Sequence, residues 1–201
     1  LVKHVVQFGP RLMSAQLDDG GAGLLKQKIE DLGVSVLVDK NTIKIIDGDE
    51  CKHKMVFSDG TELETDLVLY SAGIRPRDDL ASQSGLKIAN RGGVIIDDHC
   101  LTSDQDIYAI GECASWNDQT FGLVAPGYAM ARTVVNQLAG GDAFFTGADM
   151  STKLKLNGVD VASIGDPHAS APGSLVYTYQ NGVEGIYKRL VVSKNNKLLL
   201  G

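Results

Sequence analysis

Hydrophobic and polar positions follow two different periods along this chain, and the switches between them divide it into segments. His4-Val5-Val6-Gln7-Phe8 is a short apolar run of buried-strand type, broken by Gly9-Pro10. Leu24, Leu25, Ile29 and Leu32 recur at helical spacing between Leu17 and Leu32, and Gly33 stands where a helix C-cap belongs. Val34 to Val38 is apolar again. Strand, helix and strand in this order predict a βαβ unit with a parallel strand pair.

The texture then changes to shorter periods. Thr42 to Ile45 and Lys54 to Phe57 read as strands, Ser58-Asp59-Gly60-Thr61 as a turn, and Glu62-Leu63-Glu64 as a half-buried strand. These predict a small antiparallel meander ahead of an apolar strand from Leu67 to Tyr70. Gly92-Gly93 followed by Val94-Ile95-Ile96 is a further turn and strand. Ile107 to Ile110 is one more short β-type run, which ends in Gly111-Glu112. A polar loop from Ser115 to Gln119 leads to a helix that carries Pro126 in its first turn and ends at Gly140-Gly141. Beyond Phe145 the pattern is all-β. Strands are expected at Lys153–Leu156, Val159–Ile164, Ser174–Tyr179, Gly185–Ser193 and Lys197–Leu200, with turns at Asn157-Gly158, Asn181-Gly182 and Asn195-Asn196.

Composition narrows the function classes. The 201 residues are 43% hydrophobic and 22% charged, with a net charge of -6, and no Lys/Arg cluster offers a nucleic-acid surface. No apolar run approaches the length of a membrane span. Cys51, Cys100 and Cys113 are odd in number and widely spaced, which argues against a disulfide framework or a Cys-x-x-Cys site and suggests a reducing, cytoplasmic setting. The chain opens at Leu1 within a strand-like run without an initiator Met. It closes at Gly201 directly after another such run, so a piece of a longer polypeptide is expected.

Chemistry concentrates where strands end. Gly111 lets the backbone approach a ligand closely because it has no Cβ, and Glu112 offers an acceptor for hydroxyl groups. Ligands of open α/β sheets sit at the carboxyl ends of strands, where this pair falls. The order of elements is more specific than the dipeptide. A βαβ unit, a meander, Ser71-Ala72-Gly73-Ile74-Arg75-Pro76, and then Thr102 to Glu112 resembles the two-dinucleotide-fold flavoprotein reductases, the pyridine nucleotide–disulfide oxidoreductase superfamily. Gly73 to Arg77, Gly111 to Asn117, Gly122 to Tyr128 and Ser151 to Leu156 are similar in wording to the large subunits of NAD(P)H nitrite reductases.

That resemblance implies an α/β chain holding parts of two Rossmann-like domains, with the meander inserted and a mainly β interface domain following. Residues 1–73 would end the NAD(P)H-binding domain, 74–146 would be the second FAD-binding segment, and 147–201 would begin the interface domain, often used for homodimerisation. Glu112 would bind the ribityl chain of FAD, a position where the superfamily normally has Asp, and Gly111 would admit the flavin. Val124 and Ala125 would lie beside the flavin ring, and the helix start at Pro126 would direct N–H groups to its pyrimidine edge. Gly73 would mark the crossing from the nucleotide domain back towards the flavin. Gln7 occupies the strand end where such folds often place an acid that bonds the adenosine ribose. An amide there, with Arg11 four residues on, leaves NADH and NADPH both open.

The implied activity is electron transfer from NAD(P)H through FAD to an iron–sulfur/sirohaem centre outside this chain, where nitrite is reduced to ammonium. No residue here is expected to act as a general acid, because the flavin carries the chemistry. Two alternatives stay open: a stand-alone FAD-dependent reductase of rubredoxin, ferredoxin or a disulfide, and a non-catalytic dinucleotide-binding module. Cys113 reads as a structural thiol, and Trp116 as a packing residue rather than a base-stacking one.

Overall fold

The computed structural model describes every residue except Asn157 and Asn196, on which parts of two expected turns fall. The chain is mixed α/β. Its contacts gather into two compact units, one made of Leu1–Tyr70 with Ser151–Gly201 and the other of Ser71–Met150.

In the first unit, β1 (Lys3–Val6) and β2 (Val34–Leu37) run parallel, with Val5 opposite Val36. Helix α1 (Asp19–Asp31) connects them, as the periodicity predicts. Its start is fixed by Asp18, whose carboxylate accepts from the Gly21 N–H at 3.0 Å, an N-cap worth about 0.5–2 kcal/mol. Its end is fixed by Gly33, which adopts φ +76° and donates to the Glu30 carbonyl. Leu25 and Ile29 on the buried face pack with Leu12, Val36 and Val159. Burying each such side chain contributes about 1.5–3 kcal/mol.

The meander forms as expected from β3 (Thr42–Asp47), β4 (His53–Phe57) and β5 (Glu62–Thr65), all antiparallel. The apolar strand expected at Leu67 to Tyr70 does not form. Leu67, Leu69 and Tyr70 are largely exposed, and no described strand pairs with them. Apolar character suits a residue to a strand, but a strand exists only through a hydrogen-bonded neighbour.

From Ser151 the chain returns to this unit as two hairpins, β9 (Thr152–Leu156) with β10 (Val159–Ser163) and β11 (Leu175–Asn181) with β12 (Ile186–Val192). The loop after β11 is held by Asn181, whose side-chain oxygen accepts from the Val183 and Glu184 N–H groups. The strand expected at Lys197–Leu200 reduces to one bridge, Leu199 to Val192, with hydrogen bonds around it. β10 supplies Val159 to the core beneath α1. β12 reaches the start of the same helix, where the Tyr187 hydroxyl and the Arg189 guanidinium donate to Asp18 at 2.6 and 2.5 Å.

In the second unit, β6 (Val94–Ile96) and β7 (Ala114–Trp116) run parallel, and β8 (Gln119–Thr120) folds back on β7. The segment Ser115 to Gln119, expected as a polar loop, is therefore a tight hairpin. Its two turn residues, Asn117 and Asp118, adopt φ +48° and +60°, the left-handed pair that matches strand twist. The run Ile107 to Ile110 makes only an isolated antiparallel bridge, Tyr108 to Leu101, so it too is not a strand. A short helix α2 (Asp79–Gln83), which the pattern did not indicate, precedes β6.

Helix α3 (Val124–Leu138) begins two residues ahead of Pro126 and covers a core of Ile96, Cys100, Ala114, Phe121, Met130 and Phe145. The ring of Phe145 meets Trp116 and Phe121 edge-on, with centroids 5.0 and 5.8 Å away. Trp116 is thereby a packing residue, tied at its indole N–H to Asp98 at 2.8 Å. Burial, aided by Asp97, pushes the Cys100 thiol up to about 11, which leaves it inert at neutral pH.

Candidate functional site: the start of helix α3

The second unit brings Gly111, Glu112, Val124, Ala125 and Pro126 to one place. Gly111–Cys113 is a single 3₁₀ turn entered from an extended Ile110. Gly111 takes φ +80°, and a Cβ on it would project into open space. Its N–H points inward and meets the Met130 Sδ at 3.2 Å, which moors the turn to the second turn of α3. On the helix side, a Cβ on Gly127 would stand 3.3 Å from the Gly111 Cα. Glycine at 127 lets the two backbones come this close, whereas glycine at 111 serves the left-handed φ of the turn.

The exposed features of the site are polar on one side and apolar on the other. Glu112 is exposed at the turn. Pro126 is buried and anchors the first turn of α3, while Val124 beside it is 71% exposed and Tyr128 64%. No side chain caps the start of α3, because Leu123 at the N-cap has no group to accept from it. The N–H groups of Val124 and Ala125, which have no intrahelical partner, thus lie at a helix end carrying about half a positive charge. Pro126, having no N–H, leaves none to satisfy.

Gly73 belongs to the same unit. It is exposed, adopts φ +88°, and opens a segment pinned by Asp78, whose carboxylate accepts from the Gly93 N–H at 2.6 Å. The next residue, Ile74, lies against Gly122, so close that a Cβ there would meet its Cδ1 at 3.1 Å. The Gly73 segment therefore runs beside the entrance to α3. Met130 and Ile74 are contributors that sequence reasoning missed. Helical spacing from Pro126 marks Met130 as inward-facing, but nothing local marks its sulfur as an acceptor for Gly111.

Gln7 lies in the other unit, at the carboxyl end of β1. Its N–H donates to the Leu37 carbonyl at 2.8 Å, and its own carbonyl accepts from the Lys40 N–H at 3.0 Å. The Asp39 N–H reaches the Gly9 carbonyl at 3.0 Å. The loops that leave the two parallel strands are thus stitched together at the edge where α/β folds hold their ligands. The side-chain Nε2 of Gln7 folds toward Gly9, 3.5 Å from where a Cβ would be.

Elsewhere the chemistry is sparse. All three cysteines are free, and among the described residues no group of three or more His, Cys, Asp or Glu side chains is placed to hold a metal ion. No helix of the described chain is long and apolar enough to cross a membrane.

Comparison with known proteins bears on the family and the fold. The pyridine nucleotide-disulphide oxidoreductase family matches residues 2–137. The chain is 55% identical over 199 residues to the NADH nitrite reductase large subunit of Escherichia coli (strain K12), covering 98% of this chain and 24% of that protein. It is 51% identical over 201 residues to the NAD(P)H nitrite reductase large subunit of Klebsiella oxytoca, covering 100% of this chain and 21% of that one. The chain therefore spans about a quarter of the length of these relatives. Among solved structures, a FAD-dependent pyridine nucleotide-disulphide oxidoreductase from Desulfovibrio vulgaris superposes with a TM-score of 0.81 at 23% identity, over 100% of this chain and 52% of that one. A match over residues 2–137, more than half of the chain, places it in the pyridine nucleotide-disulphide oxidoreductase family.

Proposed function

We propose that this chain supplies part of the FAD site and part of the NAD(P)H site of a flavoprotein nitrite reductase. The observation that carries the reading is the uncapped start of α3 set against Gly111 and Glu112, with exposed Val124 alongside. An isoalloxazine ring needs an apolar wall, N–H donors at its pyrimidine edge and an acceptor for the ribityl hydroxyls, and all three kinds of group converge here. When bound, FAD supplies the conversion of hydride transfer into single-electron transfer.

The protein's own groups then have definite tasks. Glu112 accepts from ribityl hydroxyls. The free N–H groups of Val124 and Ala125 favour negative charge at the pyrimidine edge. Val124 and Ala125 keep water from the ring. Gly111 and Gly127 bring the turn and the helix together, and Gly73 leads the chain from the nucleotide-binding part to this place. Gln7 hydrogen-bonds the adenosine ribose of NAD(P)H. The electrons pass on to an iron–sulfur/sirohaem centre that reduces nitrite to ammonium, built outside this chain. The hairpins of Ser151–Gly201 belong to an interface domain through which the full protein forms a homodimer.

The full-length protein provides the test. A yellow holoprotein that bleaches with NAD(P)H and oxidises it in the presence of nitrite supports the reading. NAD(P)H oxidation indifferent to nitrite but dependent on rubredoxin or ferredoxin would replace it with a stand-alone reductase. A colourless protein that binds no flavin would end the flavoprotein reading.

A further inference from the structure

Glu112 is carried by a turn whose first residue, Gly111, is also the freest to move. Gly127 bounds Gly111 on one side, but a Cβ on Gly111 would meet nothing, so elsewhere the residue has room to shift. Its φ of +80° lies in a region that glycine enters and leaves at little cost. As the first residue of a single 3₁₀ turn, Gly111 has no partner for its N–H within the turn, and extended Ile110 before it offers no side-chain acceptor. Among the described residues the partner is the Met130 thioether, whose Sδ lies 3.2 Å away. Met130 itself has no room to move. It is fully buried in the core with Ile96, Cys100, Ala114, Phe121 and Phe145, and the Cys100 Sγ reaches its backbone carbonyl at 3.9 Å. A sulfur fixed in the core thus holds the N–H of a loosely confined glycine.

We infer that Met130 is a positioning residue for the flavin, a role that rests on the assignment of Glu112 to FAD. By accepting from the Gly111 N–H, its sulfur fixes the turn that presents Glu112 to the ribityl hydroxyls. Packing alone does not call for methionine here. Leucine has a similar volume, favours a helix as well and would fill this core, but it has no lone pair to offer. Without the sulfur, the Gly111 N–H must turn toward water, because a half-buried donor left without an acceptor is costly. That rotation swings the peptide between Ile110 and Gly111. Glu112, the next residue in a three-residue turn, is carried with it. A thioether is a weak acceptor, yet the competing state is an unpaired donor, so the bond decides the geometry.

A double-mutant cycle in the full-length protein tests this, read by dissociation constants for FAD and by melting of the flavin-free form. Met130→Leu should melt near the wild type and bind FAD about tenfold more weakly. In the Glu112→Ala background the same substitution should change the affinity less than about twofold, because the carboxylate it positions is gone. A merely structural role would weaken FAD by the same factor in both backgrounds, and that result overturns the inference. Unchanged affinity in Met130→Leu, with Glu112→Ala weakened, also overturns it and leaves the FAD site standing. Amide exchange of the flavin-free wild type requires no variant to fold. There the Gly111 N–H should exchange at least about tenfold more slowly than an unstructured glycine amide, and an unprotected Gly111 overturns the inference. Full FAD affinity in Glu112→Ala removes the ribityl assignment and the inference with it, a failure that the Glu112 variant alone identifies.

Discussion

Gly127, in the first turn of α3, packs so closely on Gly111 that a Cβ at position 127 would lie 3.3 Å from the Gly111 Cα. Two stretches separated by a hairpin and a loop thus meet backbone to backbone. The turn that presents Glu112 is held at the helix end by that contact and by the Gly111 N–H to Met130 bond.

Substitution at Gly127 sets two effects against each other. Alanine in a helix is favoured over glycine by about 1 kcal/mol, whereas the contact requires Gly111 to retreat by a few tenths of an ångström. Gly127→Ala should melt near the wild-type temperature yet bind FAD at least about tenfold more weakly, and Gly127→Val should bind it more weakly still. Apoprotein melting curves with flavin titrations measure the two separately. Unchanged flavin affinity in both variants would remove this contact from the site.

Glu112 is exposed, so its removal should leave the fold intact. We expect Glu112→Ala to melt within about 2 °C of the wild type. Losing a carboxylate acceptor for a hydroxyl should raise the dissociation constant for FAD by about 10–100-fold, with Glu112→Asp intermediate. Flavin content after gel filtration reads this directly. Full retention of flavin by Glu112→Ala would mean that another group holds the ribityl chain.

Asp18 links the start of α1 to β12. Burial alone would raise its carboxyl, but hydrogen bonds from Tyr187 and Gly21 and the charge of Arg189 outweigh this and hold it below the usual 3.8. A lowered folded value means stability that is present above pH 4 and lost as pH falls through the folded value. Asp18→Asn should keep the helix cap but cost about 1–3 kcal/mol at pH 7, because Arg189 loses its charged partner. Urea melts at pH 7 and pH 3 check this. A difference between the two proteins that does not shrink at pH 3 would contradict the account.

Glu64 plays a comparable role in the meander. Its carboxylate accepts from the N–H groups of Asp49, Glu50 and Cys51 and pairs with Lys54. Hydrogen bonds from Cys51, Glu50 and Asp49, in that order, lower it to about 2 from the usual 4.5. The stability it contributes is therefore complete above pH 4.5 and fades between about pH 4.5 and 2. Glu64→Gln should speed amide exchange at Asp49, Glu50 and Cys51 at pH 7. Unaltered protection at these three amides would show that the loop closes without the carboxylate.

How much was legible in the sequence depended on the reach of the interaction that decides each feature. Ser58 to Thr61 announced its turn because Asp59 bonds the Thr61 N–H two residues away. Ser115 to Gln119 looked like a loop, although the left-handed pair Asn117-Asp118 closes a hairpin there. Polar residues tolerate either outcome, and the pairing of Ser115 with Thr120 decides it. Leu67–Tyr70 and Ile107–Ile110 had strand composition but lacked a strand beside them. At the site, Gly111 and Glu112 were readable as candidates only through the order of the motifs around them, since a glycine followed by an acid is by itself unspecific. Their proximity to Gly127 and Met130 was not.

By itself the sequence determined what depends on neighbours a few residues away: the end of α1 at Gly33, the turn of the meander at Ser58 to Thr61, and an order of motifs specific enough to indicate the family. Only the tertiary structure decided which distant groups share a charge or a contact. Asp18 takes a hydrogen bond from Tyr187, 169 residues later, and Gly111 rests on Gly127. Local preference is written in each residue's own backbone and side chain. A long-range pairing depends on chain closure and on the burial of everything between, which no window of sequence contains.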